Sequence, residues 1–113
     1  MEISFEGIGQ VAATFAANEG IEAGMAVTLT ADSTVGTGKA GNAPCGKVLS
    51  IKNGMAAVQI SGMMQVGYSG TAPAIGMGTI AVDGSGKIKT TADGMNCMIV
   101  SVNTADGTAV IKL

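Results

Sequence analysis

The chain has 113 residues and a formal net charge of −2, with 47% hydrophobic but only 3% aromatic residues, which is the size of one domain with an aliphatic core. Its basic residues are scattered lysines, so we expect no nucleic-acid partner and no electrostatic contact with a membrane. Histidine, the commonest general base, is absent, so we expect neither an enzyme nor a bound cofactor.

No run of apolar residues approaches the roughly 20 that a membrane-spanning helix needs. The first residues, Met1 to Glu6, lack the basic and apolar regions of a secretory signal peptide. We therefore expect no membrane partner and synthesis in the cytoplasm.

Residues 1–17 are predicted to form an extended N-terminal arm. Val and Thr within residues 11–17, together with the lack of a charged face, favour extended structure over a short helix. The arm carries apolar residues that need a covering surface, so we predict that it contacts a partner and is poorly ordered in the free protein. The predicted contact residues are Ile3, Phe5, Ile8, Val11 and Phe15.

Residues 18–113 are predicted to form a single all-β domain, a small barrel or β-tulip-like body. Ile and Val far outnumber Leu, and β-branched residues pack well on a pleated surface. Short alternating runs flank Gly-containing dipeptides that tolerate positive φ, the pattern of β-hairpins. The predicted hairpin turns are Asn53-Gly54, Asp83-Gly84 and Asp106-Gly107.

The domain contains similar segments about 52 residues apart, which suggests two duplicated halves at about 21–61 and 73–113. Gly24-Met25 recurs as Gly76-Met77, and the Cys-Gly-Lys-Val run at 45–48 recurs as Cys-Met-Ile-Val at 97–100. Gly and Ala are common enough that chance could supply several of these matches.

The stretch from Asn53 to Val82 contains no charged residue, although a solvated surface normally carries several. One interpretation is a well-buried central hairpin region. The other is that part of the stretch becomes buried only when subunits meet, because methionine is common at contact surfaces. On the second interpretation Met63, Met64 and Tyr68 are the predicted subunit contacts.

Cys45 and Cys97 occupy matching points of the two similar segments. We predict two reduced, buried packing residues, while a disulfide between the halves is the alternative. A zinc site is not expected, because two thiolates without histidine leave the metal short of ligands.

Residues 36–41 read G-x-G-x-x-G, the phosphate-binding pattern of dinucleotide folds. Pro44 follows closely and no βαβ pattern surrounds the motif, so we interpret it as a loop. A biotinyl or lipoyl carrier domain would need a lysine on a central hairpin, and residues 62–73 contain none.

The pattern as a whole resembles the capsid cement, or head decoration, proteins of tailed bacteriophages, which are small Gly-, Ala- and Val-rich chains. The resemblance extends over nearly the whole sequence. It is carried by the segments at 11–17, 21–27, 45–48, 53–60, 75–87 and 106–113.

The resemblance implies a structural virion protein on the outer capsid surface that stabilises contacts between major capsid subunits. We expect the major capsid protein as partner and a homotrimer as assembly, with a dimer as second choice. The alternative is another phage or surface β-module, such as a tail or adhesin-like domain, that binds protein or glycan.

Overall fold

A computed structural model describes residues 8–113, and within that range every regular element is a strand. This confirms the all-β prediction. The strands are β1 Val11–Ala17, β2 Ala26–Ala31, β3 Thr34–Gly36, β4 Gly46–Lys52, β5 Met55–Ser61, β6 Met63–Gly67, β7 Gly76–Val82, β8 Ile88–Thr90, β9 Met95–Asn103 and β10 Thr108–Lys112.

The first five strands close into a barrel in the order β1-β3-β2-β4-β5. β1 completes the barrel because it pairs antiparallel with β5 on one side and parallel with β3 on the other. We call residues 11–61 the first unit.

The last five strands form a sheet in the order β6-β10-β9-β7-β8. Its two outer strands approach each other through a parallel bridge between Tyr68 and Ile88. We call residues 63–112 the second unit. In the first unit β1 lies beside β5, and the order continues with β4, β2 and β3. In the second unit β6 lies beside β10, and the order continues with β9, β7 and β8, so the two units have the same strand order.

The strand registers of the two units also agree. Val48 pairs with Val58 in the first unit as Ile99 pairs with Ile111 in the second, offsets of 51 and 53 residues. Each of these pairs is followed by a bulge, at Leu49 in the first unit and at Val100 in the second. The repeated part therefore begins at β1 and β6, earlier than the boundaries predicted at residues 21 and 73.

The N-terminal arm predicted for residues 1–17 is corrected by this topology. Residues 11–17 form β1, which has hydrogen-bonded neighbours on both sides, so they are an integral strand of the barrel. Of the predicted arm, residues 1–7 lie outside the described residues.

Each unit has its own apolar core. The first is built around Val27, Val35, Val48 and Val58, and the second around residues such as Ile80, Ile99 and Ile111. Ala26 lies on β2 but packs into the core of the second unit. The two units are therefore in direct contact through the outer face of β2.

Backbone hydrogen bonds also join the units. Val82 donates to the carbonyl oxygen of Asn42 at 2.8 Å and accepts from the N–H of Gly41 at 3.0 Å. Gly62, between the units, exchanges two hydrogen bonds with Leu113, of 3.2 and 3.3 Å, which extend the pairing of β6 with β10 by one residue. The G-x-G-x-x-G segment thus ends in a contact between the two units.

The tight turns follow the predicted chemistry. Asn53 and Gly54 both have positive φ, 54° and 75°, as a two-residue hairpin between β4 and β5 requires. The turn between β2 and β3 was not predicted, because its positive-φ residue is Ser33 rather than a glycine.

Candidate functional site

The outer face of the second unit carries a row of methionines. Met63 pairs with Lys112, Lys112 pairs with Met98, and Met98 pairs with Met77. Directly paired residues project from the same face of a sheet, so these four side chains form one line across β6, β10, β9 and β7. We call them the methionine row.

The row is apolar except for Lys112, and much of it is open to solvent. Met77 is 72% exposed and Met98 is 41% exposed, and Ile75, just before β7, is 65% exposed. Leu29 and Met55 are also exposed, but they lie on different strands of the first unit and do not pair with each other. Contiguous exposed apolar groups mark interaction sites more often than isolated ones do, and methionine adapts to irregular partners.

The corresponding row of the first unit has a different character. Ala12 pairs with Gln59, Gln59 with Lys47, and Lys47 with Ala26. Gln59 and Ala26 are each only 1% exposed. The Gln59 amide donates to the carbonyl oxygens of Ser61 and Met63, at 3.1 and 3.0 Å. The two covered positions of this row, Gln59 and Ala26, correspond to exposed positions of the methionine row, Lys112 and Met77.

The predicted subunit contacts separate in the structure. Met63 lies on the methionine row, but Met64 is fully buried in the core of the second unit. Adjacent residues of a strand project to opposite faces, so the two methionines cannot share a role. The prediction that Met64 contacts another subunit is therefore wrong. Tyr68 is half-buried and packs against the same core.

The predicted arm contacts also separate. Ile8 and Val11 are each 53% exposed. Phe15 faces inward and packs against the first core, so it is a packing residue of the barrel rather than a free contact. Ile3 and Phe5 lie outside the described residues.

Asp83 organises the turn between β7 and β8. Its carboxylate accepts hydrogen bonds from the backbone N–H groups of Ser85 and Lys87 and from the hydroxyls of Ser85 and Ser69. Burial alone would raise the pKa of Asp83, but these hydrogen bonds together hold that pKa below its ordinary value. The contact with Ser69 ties the turn to the segment that follows β6.

Both cysteines are free. Cys97 is buried in the second core, whereas Cys45 is half-buried and precedes β4. Burial raises the pKa of both thiols, which lowers their reactivity. By strand pairing Cys97 corresponds to Gly46 rather than to Cys45, since Gly46 pairs with Val27 as Cys97 pairs with Gly78.

Across residues 8–113 no three His, Cys, Asp or Glu side chains converge as a metal site would require. The same range contains no helix long and apolar enough to span a membrane. The methionine row is the feature of the described chain that most resembles a binding site.

Residues that the sequence reasoning missed are Met77, Met98 and Ile75. Met77 fell within the charge-free stretch, which was the available signal. Met98 gave no signal, because its exposure depends on which face of β9 is turned outward.

No protein-family model matches the chain, and no curated protein matches it.

Proposed function

We propose that this chain is a structural virion protein that decorates the outside of a tailed-phage capsid and stabilises contacts between major capsid subunits. The sequence resemblance supplies the functional class. The observation that carries the proposal is the exposed methionine row, which gives a β-protein of this kind an apolar surface for a coat subunit.

The chemistry of the row suits a contact of this type. Full burial of one methionine side chain contributes roughly 1.5–3 kcal/mol, so three would give a modest free energy before the entropic costs of association. Such a foothold is weak alone and becomes effective when several copies bind one lattice together. Lys112, in the middle of the row, can add an ion pair with an acidic coat residue.

The test is binding to undecorated capsids of the cognate coat protein. We expect the wild-type chain to co-sediment with capsids and to raise the temperature at which they rupture. Met98→Glu should reduce binding at least tenfold, because it replaces an apolar contact side chain by a charged one that the coat subunit would have to bury. The new carboxylate would lie opposite Lys112, so the fold should tolerate it.

Met55→Glu is the matched control. Met55 is 45% exposed, close to the 41% of Met98, and it also pairs directly with a lysine, Lys52. It lies on the first unit, away from the row, and should bind like wild type. Equal binding by all three proteins would refute the row as the coat contact, and no binding by wild type would refute the function.

The tail or adhesin-like alternative predicts a different result. Such a module would bind a host-surface protein or glycan and leave the rupture temperature of capsids unchanged. Both aromatic side chains in the described range, Phe15 and Tyr68, pack against a core, and glycan sites normally use exposed aromatic rings.

A further inference from the structure

The contact between the two units within the chain has a definite geometry at β2. The backbone N–H of Ala26 donates to the carbonyl oxygen of Gly86, at 2.8 Å. Gly86 belongs to the turn between β7 and β8, and a Cβ there would lie only 2.8 Å from Cγ of Met25. The second unit therefore seats its β7–β8 turn against the edge of β2 in the first unit.

The strand of the second unit that corresponds to β2 is β7. Ala26 pairs with Lys47 as Met77 pairs with Met98, so Met77 holds the position of Ala26. Thr79 accepts a hydrogen bond from the N–H of Thr91 on the β8 side. Because hydrogen bonds alternate along an antiparallel strand, Met77 directs its N–H to that same side.

This side of β7 is an open groove rather than a packed contact. The pairing of β7 with β8 starts only at Ile80, so the earlier part of β7 borders a groove of about 390 Å³. Its lining includes Pro73, Ala74, Met77, Thr91 and Ala92. We call it the edge groove. In the first unit the corresponding strand edge is covered by the Gly86 turn.

We infer that the edge groove binds the β2–β3 turn of a second copy of this chain. That turn, at Asp32 and Ser33, is the counterpart in the first unit of the β7–β8 turn, and both residues are exposed. Placing it on β7 would repeat between two chains the contact that the chain already makes within itself. The N–H of Met77 would then donate to a carbonyl oxygen of the turn.

The side chains at the two sites fit this exchange. In the first unit the side chain of Met25 occupies the space beside β2. The β7–β8 turn therefore needs a glycine, Gly86, where it contacts Met25. By the pairing offset, Gly76 holds the corresponding position in the second unit, and nothing lies within 4 Å of where its Cβ would be. The edge groove can therefore accept a turn that carries a side chain, such as Ser33.

A contact between two different surfaces is head-to-tail, so it builds closed rings or open chains of subunits rather than a symmetric pair. The homotrimer expected from the sequence would be a ring closed by this contact. The inference does not depend on capsid binding, and it is tested on the capsid-free protein.

The first experiment fills the edge groove. Wild-type protein should show concentration-dependent association by analytical ultracentrifugation, and Ala74→Trp should weaken it at least tenfold by occupying the groove. Ala72→Trp is the matched control, because Ala72 is exposed on the same segment but does not line the groove. Monomeric wild-type protein at all concentrations, or undiminished association of Ala74→Trp, would overturn the inference.

The second experiment distinguishes head-to-tail from symmetric association by complementation. Asp32→Trp should block the turn and Ala74→Trp the groove, so each variant alone should be monomeric. An equimolar mixture should form dimers, because one variant keeps an intact turn and the other an intact groove. A mixture that remains monomeric while both variants show wild-type melting curves would contradict the head-to-tail contact.

Discussion

The two units of this protein share a strand ladder but use its outer face in opposite ways. In the first unit the rest of the chain covers two members of the outer row, Ala26 and Gln59. Where the second unit faces solvent, the corresponding row is mostly methionine. Folding alone favours the reverse distribution. This difference is the observation on which the proposed contact with a coat subunit rests.

The units also differ in how they close. Two register pairs join β1 to β3, whereas a single bridge joins Tyr68 to Ile88. The second unit adds the Asp83 carboxylate, which connects the β7–β8 turn to Ser69 beside that bridge. Closure of the first unit relies on strand pairing, and closure of the second relies partly on a side-chain network.

The largest expected effect concerns the first unit. If residues 1–17 formed a separate arm, deleting residues 2–15 would spare folding and abolish only capsid binding. Since this deletion removes most of β1, which has strand neighbours on both sides, we now expect loss of cooperative folding. Thermal unfolding followed by circular dichroism measures it.

Deleting residues 2–7 is the control, because it removes no residue of a described strand. It should leave a cooperative transition. If the protein lacking residues 2–15 melts cooperatively and like wild type, the first unit does not need β1 to fold.

The next effect separates the adjacent methionines of β6. Met64→Ala should lower the free energy of unfolding by about 2–4 kcal/mol, because it opens a cavity in the second core. Met63→Ala, on the outer row, should cost below about 1 kcal/mol. Urea unfolding of both variants checks the difference, and equal losses would place both side chains in the core.

A smaller effect compares two glycines of matched strand pairs. In the pair of Val27 with Gly46 the glycine lies on β4, while in the pair of Gly78 with Cys97 it lies on β7. A Cβ at Gly46 would collide with the backbone carbonyl oxygen of Gln59, so Gly46→Ala should cost about 1–3 kcal/mol.

A Cβ at Gly78 would meet only a side-chain atom of Ile99, at an ordinary 3.6 Å. Gly78→Ala should therefore be neutral or slightly stabilising, since it restricts the unfolded chain. Chemical denaturation of the two variants gives the comparison, and a larger loss for Gly78→Ala would invalidate it.

The smallest effect tests closure of the second unit. Asp83→Ala should cost about 1–2 kcal/mol at neutral pH through the lost hydrogen bonds. The pKa of Asp83 is lower in the folded state than its ordinary value. The ionised carboxylate therefore stabilises the fold fully when the pH is above that ordinary pKa.

This contribution is lost as the pH falls through the folded-state pKa. The stability gap between wild type and Asp83→Ala should therefore narrow under acidic conditions, as measured by denaturant unfolding across pH. A gap that stays constant would show that the carboxylate acts only as a neutral hydrogen-bond acceptor.

Much of the fold could be predicted from the sequence. The turn dipeptides Asn53-Gly54 and Asp106-Gly107 lie between paired strands as expected, because positive φ restricts which residues can form tight turns. That Met64, Val66 and Tyr68 share one face also follows from simple alternation, but alternation does not tell which face is the core, and Met64 was predicted as a subunit contact. Local chemistry was sufficient for these features.

The alignment of the two units could not be predicted in the same way. The sequence matches lie 52 residues apart, but the strand registers correspond at 51 and 53. A shift of one residue moves every side chain to the opposite face. Val48 is therefore a core residue, whereas its sequence match Val100 forms a bulge. The hydrogen-bond register of the strands decides which side chains face the core, and the residue types alone do not reveal that register.

Each unit also starts and finishes at one place. Val11 pairs with Ser61, and Met63 pairs with Lys112, so the first and last strands of each unit lie side by side. A segment whose two ends are neighbours can be transplanted into a loop of another scaffold without stretching its host. In protein design, the second unit could therefore be inserted as a whole, and it would carry its methionine row with it.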